Sequence, residues 1–130
     1  MRKPLILVVD DEKEVRSTIV EYLGLRYDCD FFEAENGEDA VNFVRKNTCD
    51  MLILDIKMPK KSGITVIKEV KEIKPDIDIL IVSSWSSDDV AEETMELGAT
   101  DYVLKPLNLN VISIKFEDIL KRRGISALKK

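Results

Sequence analysis

The sequence predicts an α/β fold in which five strand–helix units, (βα)5, form one doubly wound sheet of five parallel strands. Five short apolar runs alternate with longer stretches in which apolar residues recur at helical spacing. The first run, Leu5–Val9, is apolar at consecutive positions, as expected for a strand covered by helices on both faces. The chain has 130 residues, 45% of them hydrophobic and 35% charged, which suits one domain with a core of its own.

The first unit begins near the start of the chain. The run 5–9 is predicted as a buried strand that stops at Asp10 and Asp11. A helix follows, with Glu12 and Glu14 in its first turn, where the helix dipole favours negative charge. Its apolar positions lie at helical spacing: Val15, Ile19, Tyr22 and Leu23.

The second and third units follow the same plan. Residues 28–33 mix polar and apolar side chains, which predicts a less buried strand, and the turn at Asn36-Gly37 opens the second helix. Residues 51–54 are predicted as the third strand, which ends at Asp55. After the 59–63 loop, the third helix must end before Pro75. The apolar positions of these two helices are Ala40, Val41 and Val44, and then Ile64, Ile67 and Val70.

The fourth unit consists of a strand at 77–82, which runs into Ser83 and Ser84, and a helix from about Asp88. Ser86 with Asp89 three residues later resembles a capping box, and Gly98 is placed to end this helix.

The fifth unit has its strand at 101–104 and is interrupted at Lys105-Pro106. The helix that follows ends in basic residues before Gly124, as suits a helix C-terminus. Its apolar positions are Leu109, Ile112, Phe116 and Ile119. We expect residues 1–124 to form one domain, residues 125–130 to be a short tail, and no output domain to be present.

Composition excludes several classes of function. The net charge of −5 lacks the basic excess that nucleic-acid binding requires. No stretch is apolar for long enough to suggest a signal peptide or a membrane span, so we expect a cytoplasmic protein with no membrane partner. Cys29 and Cys49 are expected to be reduced core thiols. Because the chain has no histidine, Ser-His and Cys-His catalysis are excluded.

Polar residues follow four of the five predicted strands. Ligands of doubly wound sheets bind outside the carboxyl ends of the strands, so these residues are the candidates for a site. They are Asp10 and Asp11, Asp55, Ser83 with Ser84, and Lys105. Taken singly, each aspartate or serine is more often a helix cap or turn former, and the lysine more often a surface charge. Their occurrence together favours a site.

The residue types indicate metal and phosphate chemistry. Three aspartates close together repel one another unless a cation lies among them, and carboxylate oxygens are ligands that Mg²⁺ accepts. A lysine and a serine hydroxyl could then bind the oxygens of a phosphoryl group. A carboxylate can itself be the nucleophile that accepts such a group.

From about Leu5 to Gly124 the sequence resembles the receiver domain of two-component response regulators, the CheY-like family. The motifs that carry the resemblance are the acidic pair Asp10-Asp11, the phosphoacceptor position Asp55 with the Met-Pro-x-x-x-Gly loop from Met58 to Gly63, the hydroxyl of Ser83, and Lys105-Pro106. The resemblance implies a flavodoxin-like sheet with strand order 2-1-3-4-5.

The resemblance also implies the roles of individual residues. Asp55 would be phosphorylated in a Mg²⁺-dependent reaction by a sensor histidine kinase, a histidine phosphotransfer protein or a small phosphodonor. The metal would be held by Asp11, Asp55 and the backbone carbonyl of Lys57, with Asp10 acting through water. Ser83 and Tyr102 would be the switch residues, and Lys105-Pro106 a cis peptide that directs the lysine into the site.

The same resemblance implies a partner surface. Phosphorylation would remodel the face made by the fourth helix, fifth strand and fifth helix. That face would then bind a downstream protein or a second copy of the chain, and not nucleic acid directly.

Three residues near the expected site are candidates for tuning it: Lys57, Ser84 and Trp85. Lys57 brings a cation two residues after the phosphoacceptor position, where many family members carry a neutral or acidic side chain. Trp85 brings a bulky ring two residues after Ser83. Both could obstruct the water that hydrolyses an acylphosphate, which predicts a long-lived phosphorylated state. The alternative is that both lie along the surface and tune nothing.

Three alternative functions share features of this pattern. A haloacid-dehalogenase-type phosphatase needs a second aspartate two residues after its nucleophile, where this chain has Lys57. A flavodoxin-type carrier needs a flavin phosphate after the first strand, where Asp10 and Asp11 would repel it. A receiver-like interaction module that works without phosphorylation stays open.

Overall fold

The structure, a computed structural model, describes residues 2–58, 61–84 and 88–129, without the side chains of residues 88 and 89. Within these residues, ten elements alternate strictly between strand and helix, as the apolar pattern predicts. In chain order they are β1 (Leu5–Val9), α1 (Lys13–Arg26), β2 (Asp30–Ala34), α2 (Gly37–Lys46), β3 (Met51–Leu54), α3 (Gly63–Ile73), β4 (Asp78–Ser83), α4 (Asp88–Glu96), β5 (Asp101–Leu104) and α5 (Leu109–Arg122).

The five strands form one parallel sheet in the order β2-β1-β3-β4-β5, which confirms the predicted strand order. Successive side chains of a strand point to opposite faces, so each strand supplies two cores. In β1, Leu7 and Val9 pack under α2 and α3, whereas Ile6 and Val8 pack under α1 and α5. β1 is buried almost throughout because helices cover both of its faces.

Short polar side chains define three helix starts. Asn36, Ser62 and Asn108 each accept a hydrogen bond from the backbone N–H three residues ahead, which satisfies one free donor of α2, α3 and α5 respectively. The turn predicted at Asn36-Gly37 is therefore the N-terminus of α2. The capping pair predicted at Ser86 and Asp89 lies outside the described side chains.

The strand bounds differ slightly from those predicted. β2 begins at Asp30 and not at residue 28, because the tail pairs with the preceding residues: Tyr27 bridges Leu128 in antiparallel fashion and Asp28 N–H donates to the Ala127 carbonyl. β4 spans Asp78–Ser83 and not 77–82. Within the tail, Ile125 and Ala127 pack on the core beneath α1 and α5.

The edge of the sheet where the strands begin, here called the amino edge, carries a matched set of charges. Arg2 binds both oxygens of the Asp50 carboxylate, at 2.7 and 2.9 Å. Arg123, at the end of α5, binds Asp78 at 2.8 Å and lies 3.6 Å from Asp50. Burial alone would raise the pKa of Asp50, but hydrogen bonds from Arg2 and the Leu5 N–H outweigh burial and lower it.

The two cysteines are free thiols. Cys49 is buried and Cys29 half-buried. Burial raises the pKa of Cys49 to about 11 and that of Cys29 to about 12. Neither side chain is therefore a reactive thiolate at neutral pH. Within the described part of the chain, no helix is long and apolar enough to cross a membrane.

Candidate functional site

The four predicted strand-end positions meet at one edge of the sheet, here called the carboxyl edge. Asp10 directly follows β1, Asp55 follows β3, Ser83 ends β4, and Lys105 follows β5. Because these four strands are parallel neighbours in the sheet, their carboxyl ends lie side by side. The sheet topology therefore unites residues up to 95 positions apart in sequence.

Three carboxylates crowd together at the centre of this edge. Asp10, Asp11 and Asp55 each place a carboxylate oxygen within 4.8 Å of the others. Asp10 is 3% and Asp55 6% exposed, whereas Asp11 is exposed to solvent. Like charges at this distance repel one another unless a cation compensates them. The donor set is made of hard oxygen ligands and fits a divalent cation such as Mg²⁺.

Lys105 supplies part of that compensation. Its ammonium lies 2.9 Å from Asp10 Oδ2 and 3.3 Å from Asp55 Oδ2. Burial alone would lower the pKa of Lys105, but the hydrogen bond to Asp10 and the charge of Asp55 outweigh burial and raise it. The Lys105 N–H donates to the Ser83 carbonyl at 2.9 Å, and the peptide bond from Lys105 to Pro106 is cis, as predicted.

The loop after β3 holds Asp55 close to its neighbours. The Asp55 N–H donates to the Val9 carbonyl at 2.9 Å, and its Oδ1 accepts from the Lys57 N–H at 3.2 Å. Gly63 donates to the Ile56 carbonyl, and a Cβ at Gly63 would lie 2.4 Å from Ile56 Cα. Only glycine lets the start of α3 pack this closely on the loop, which explains the glycine that ends the predicted motif.

The two predicted switch residues are neighbours on β4 and β5. Ser83 is fully buried, and Tyr102 is half-buried. Burial raises the pKa of Tyr102, a hydrogen bond with Ser83 partly offsets this, and the charge of Asp55 adds to the rise. The tyrosine therefore stands within electrostatic reach of the carboxylate cluster.

The residues proposed to tune the site are only partly described. Lys57 is exposed, and its backbone rather than its side chain contacts Asp55. Ser84 is also exposed. Trp85, Pro59 and Lys60 lie outside the described residues.

One ion pair beside the site was not predicted from the sequence. Arg16 on α1 donates to the backbone carbonyl of Asp10 at 2.7 Å and pairs with Glu33 on β2 at 3.0 Å. A signal was present, because Arg16 precedes the buried Ile19 and Leu23 by three and seven positions and so falls on the apolar face of α1. A cation on that face requires a polar partner.

Curated relatives of this chain include transcriptional regulatory proteins. The transcriptional regulatory protein ZraR of Klebsiella oxytoca is 35% identical over 121 residues, which cover 93% of this chain and 27% of that protein. The transcriptional regulatory protein PrrA of Mycobacterium tuberculosis is 32% identical, over 95% of this chain and 53% of that protein. The chain thus spans between about a quarter and about half the length of these relatives.

Solved structures resemble nearly the whole chain. A response regulator receiver domain protein from Clostridium thermocellum has a TM-score of 0.85 and 28% identity, over 93% of this chain and 97% of that one. The BeF3-activated DrrB receiver domain has a TM-score of 0.84 and 28% identity, over 94% of this chain and all of that one.

A family model confirms what the strand-end residues and the sheet order indicate. The model described as the response regulator receiver domain matches residues 6–117, which include every residue of the carboxyl edge discussed above. The match begins inside β1 and ends inside α5, so it spans all five strand–helix units. This chain therefore belongs to the response regulator receiver domain family of two-component signalling proteins.

Proposed function

We propose that this receiver domain is switched by Mg²⁺-dependent phosphorylation of Asp55. The observation that carries the proposal is the cluster of three carboxylates within 4.8 Å of one another, with Lys105 bridging two of them. Three carboxylates this close repel one another, and a bound Mg²⁺ would offset that repulsion. The ion could then also bind the oxygens of a phosphoryl group. It stands at the carboxyl edge, where doubly wound sheets bind ligands.

The chemical step is a phosphoryl transfer to a carboxylate. An oxygen of the Asp55 side chain attacks the phosphorus, forming a P–O bond as the P–N bond to the donor imidazole, or the P–O bond to a small acyl phosphate, breaks. The electron pair of the broken bond leaves with the imidazole, which takes a proton, or with the carboxylate of the small donor. Because the chain has no histidine, a phosphohistidine donor must come from another protein, a histidine kinase or phosphotransfer protein.

Asp11, Asp55 and the Lys57 carbonyl are the proposed direct metal ligands. Asp10 is proposed to act through water, and its two carboxylate oxygens accept from the Glu12 N–H and from Lys105. When bound, Mg²⁺ would neutralise charge that develops on the phosphoryl oxygens. The solvent-exposed position of Asp11 leaves its carboxylate available for a ligand.

Lys105 and Ser83 are proposed to receive the phosphoryl group. On phosphorylation, Lys105 would exchange its contact with Asp55 for one with a phosphoryl oxygen, because the new group carries more charge than the carboxylate. The Ser83 hydroxyl would donate to another oxygen. Because Tyr102 hydrogen-bonds Ser83, movement of the serine would be transmitted to β5.

The face of α4, β5 and α5 is the proposed output surface. It exposes three large apolar side chains to solvent: Met95 (45%), Leu104 (50%) and Ile114 (60%). Tyr102 lies on the same strand as Leu104, so a change at the site has a short path to this face. A downstream protein or a second copy of the chain is the proposed partner.

The decisive experiment is incubation with acetyl phosphate and Mg²⁺, followed by intact mass. We expect the mass of one phosphoryl adduct on the wild type and none on Asp55→Asn or without Mg²⁺. Asp50→Asn is the matched control, since it removes a buried carboxylate from the amino edge and should keep the adduct. Unmodified wild type, even after incubation with phosphorylated histidine kinases, would contradict the proposal and favour a module that works without phosphorylation.

A further inference from the structure

Arg16 connects three separate parts of the molecule at the border of the site. Its guanidinium extends from α1, donates to the Asp10 carbonyl at 2.7 Å, and pairs with Glu33 on β2 at 3.0 Å. The side chain is only 11% exposed, against 37% for Glu33. The planar guanidinium makes both contacts at once, one through Nη1 and one through Nε.

Asp10 is held at all four of its polar groups. Its N–H donates to the Ala34 carbonyl, and its two carboxylate oxygens accept from the Glu12 N–H and Lys105. Its carbonyl is held by Arg16. Of these four contacts, the Arg16 bond is the one that acts on the peptide group leading to Asp11.

The peptide group between Asp10 and Asp11 transmits this contact. A peptide is planar, so fixing the direction of the Asp10 carbonyl also fixes the plane that contains the Asp11 nitrogen and Cα. The side chain of Asp11 leaves the backbone from that Cα. Among the described residues, the exposed side chain of Asp11 makes no hydrogen bond or ion pair that would orient it otherwise, whereas Asp10 and Asp55 are buried.

The positive charge of Arg16 and its contact with the Asp10 carbonyl should have opposite effects on Mg²⁺ binding. A cation this close to a metal site repels a divalent ion, and Glu33 compensates for it. Replacing Arg16 by a neutral residue would leave Glu33 unpaired and make the site more negative. If charge alone mattered, the replacement would strengthen Mg²⁺ binding.

We infer that Arg16, braced by Glu33, is a positioning residue that orients Asp11 for metal binding through the Asp10 carbonyl. The inference rests on the proposed function, since it concerns the same metal site. Arg16 touches neither the metal nor the phosphoryl group; it acts on the backbone that carries a ligand. Loss of a contact that orients a metal ligand without touching the metal commonly weakens metal binding about 10- to 100-fold.

The test is the Mg²⁺ dissociation constant of Arg16→Met, measured by titration calorimetry without any phosphodonor. We expect a rise of about tenfold despite the more negative site. Arg16→Lys keeps the charge but offers one nitrogen to both the Asp10 carbonyl and Glu33. We therefore expect a smaller rise in the Mg²⁺ dissociation constant. Arg45→Met is the control, because Arg45 is exposed on α2 and should leave the constant unchanged.

The outcomes separate this inference from the proposed function. A wild type that does not bind Mg²⁺ overturns the proposed function. A wild type that binds, with Arg16→Met binding equally well or more tightly, overturns the positioning role alone. If Arg16→Met does not fold, by circular dichroism, Arg16→Lys decides: an unchanged constant contradicts the inference, and a raised one supports it.

Discussion

Both edges of the sheet place aspartates beside basic side chains, but the charges are balanced at only one of them. At the amino edge, two carboxylates, Asp50 and Asp78, face two guanidiniums, Arg2 and Arg123, so the charges cancel. At the carboxyl edge, three carboxylates face the ammonium of Lys105, which leaves two negative charges uncompensated among the described pairs. Removing one member of a matched set leaves a buried charge without compensation and costs stability, whereas an unmatched set of like charges costs stability until a ligand of opposite charge binds.

The edges also differ in how their charges are held. Asp50 accepts from the Leu5 N–H and from both terminal nitrogens of Arg2, so its acceptors are satisfied within the protein. Asp11 is exposed and points its charge at two other carboxylates. Substitutions at the two edges should therefore have opposite profiles: loss of stability at one, loss of ligand binding at the other.

The largest expected effect is at the carboxyl edge. Asp11→Asn should weaken Mg²⁺ binding by about 100-fold or more, because it removes a unit charge from a proposed direct ligand of the ion. The free energy of unfolding without Mg²⁺ should stay the same or rise by up to about 1 kcal/mol, because repulsion among carboxylates is relieved. Calorimetric titration and urea unfolding measure the two quantities. A variant that loses stability yet keeps its Mg²⁺ affinity would break the distinction between the edges.

The next effect is at the amino edge. Asp50→Asn should lower the free energy of unfolding by about 2 kcal/mol, because it removes a buried negative charge and with it the ion pair of Arg2, whereas Arg123 keeps its contact with Asp78. Its Mg²⁺ affinity should equal that of the wild type. Asp28→Asn is the matched control, since Asp28 pairs with Lys3 at the surface and should cost under about 0.5 kcal/mol.

The stability difference between wild type and Asp50→Asn should depend on pH. The pKa of Asp50 is lower in the folded protein than its usual value of 3.8. A lowered pKa means that the unfolded chain binds the proton first as the pH falls. The contribution of Asp50 is therefore fully present above pH 3.8 and is lost as the pH falls through the folded-state pKa. A difference that persists at the lowest pH at which both proteins fold would show that it does not come from the charge.

The smallest effect concerns access of water to the carboxyl edge. Lys57→Asn combined with Trp85→Ala should shorten the lifetime of the phosphorylated state about threefold, which corresponds to a barrier change of about 0.7 kcal/mol. The time course of adduct loss by intact mass, after removal of the phosphodonor, measures it. Lys68→Asn, on the exposed side of α3, should leave the lifetime unchanged. Equal lifetimes for the double variant and the wild type would mean that Lys57 and Trp85 do not tune the site.

Most of the fold could be predicted from the sequence, because the strands and helices are specified by patterns within short segments of the chain. A run such as Leu5–Val9 needs cover on both faces wherever it lies, and a helix must end before Pro75 in any tertiary context. The strand-end aspartates, Ser83 and Lys105 could be identified for the same reason. Parallel strands place their carboxyl ends at one edge, so position in the chain implies position in the site.

Only the tertiary structure decided what depends on contacts between distant segments. The start of β2 depends on the tail that pairs with Tyr27, and the neutrality of the amino edge depends on Arg2 and Arg123 meeting at Asp50. The bond from Arg16 to the Asp10 carbonyl depends on how α1 packs against β2. The sequence by itself determined which residues carry charge and which segments must be buried. Side-chain pairing required the folded chain, because which charges meet depends on packing geometry rather than on local composition.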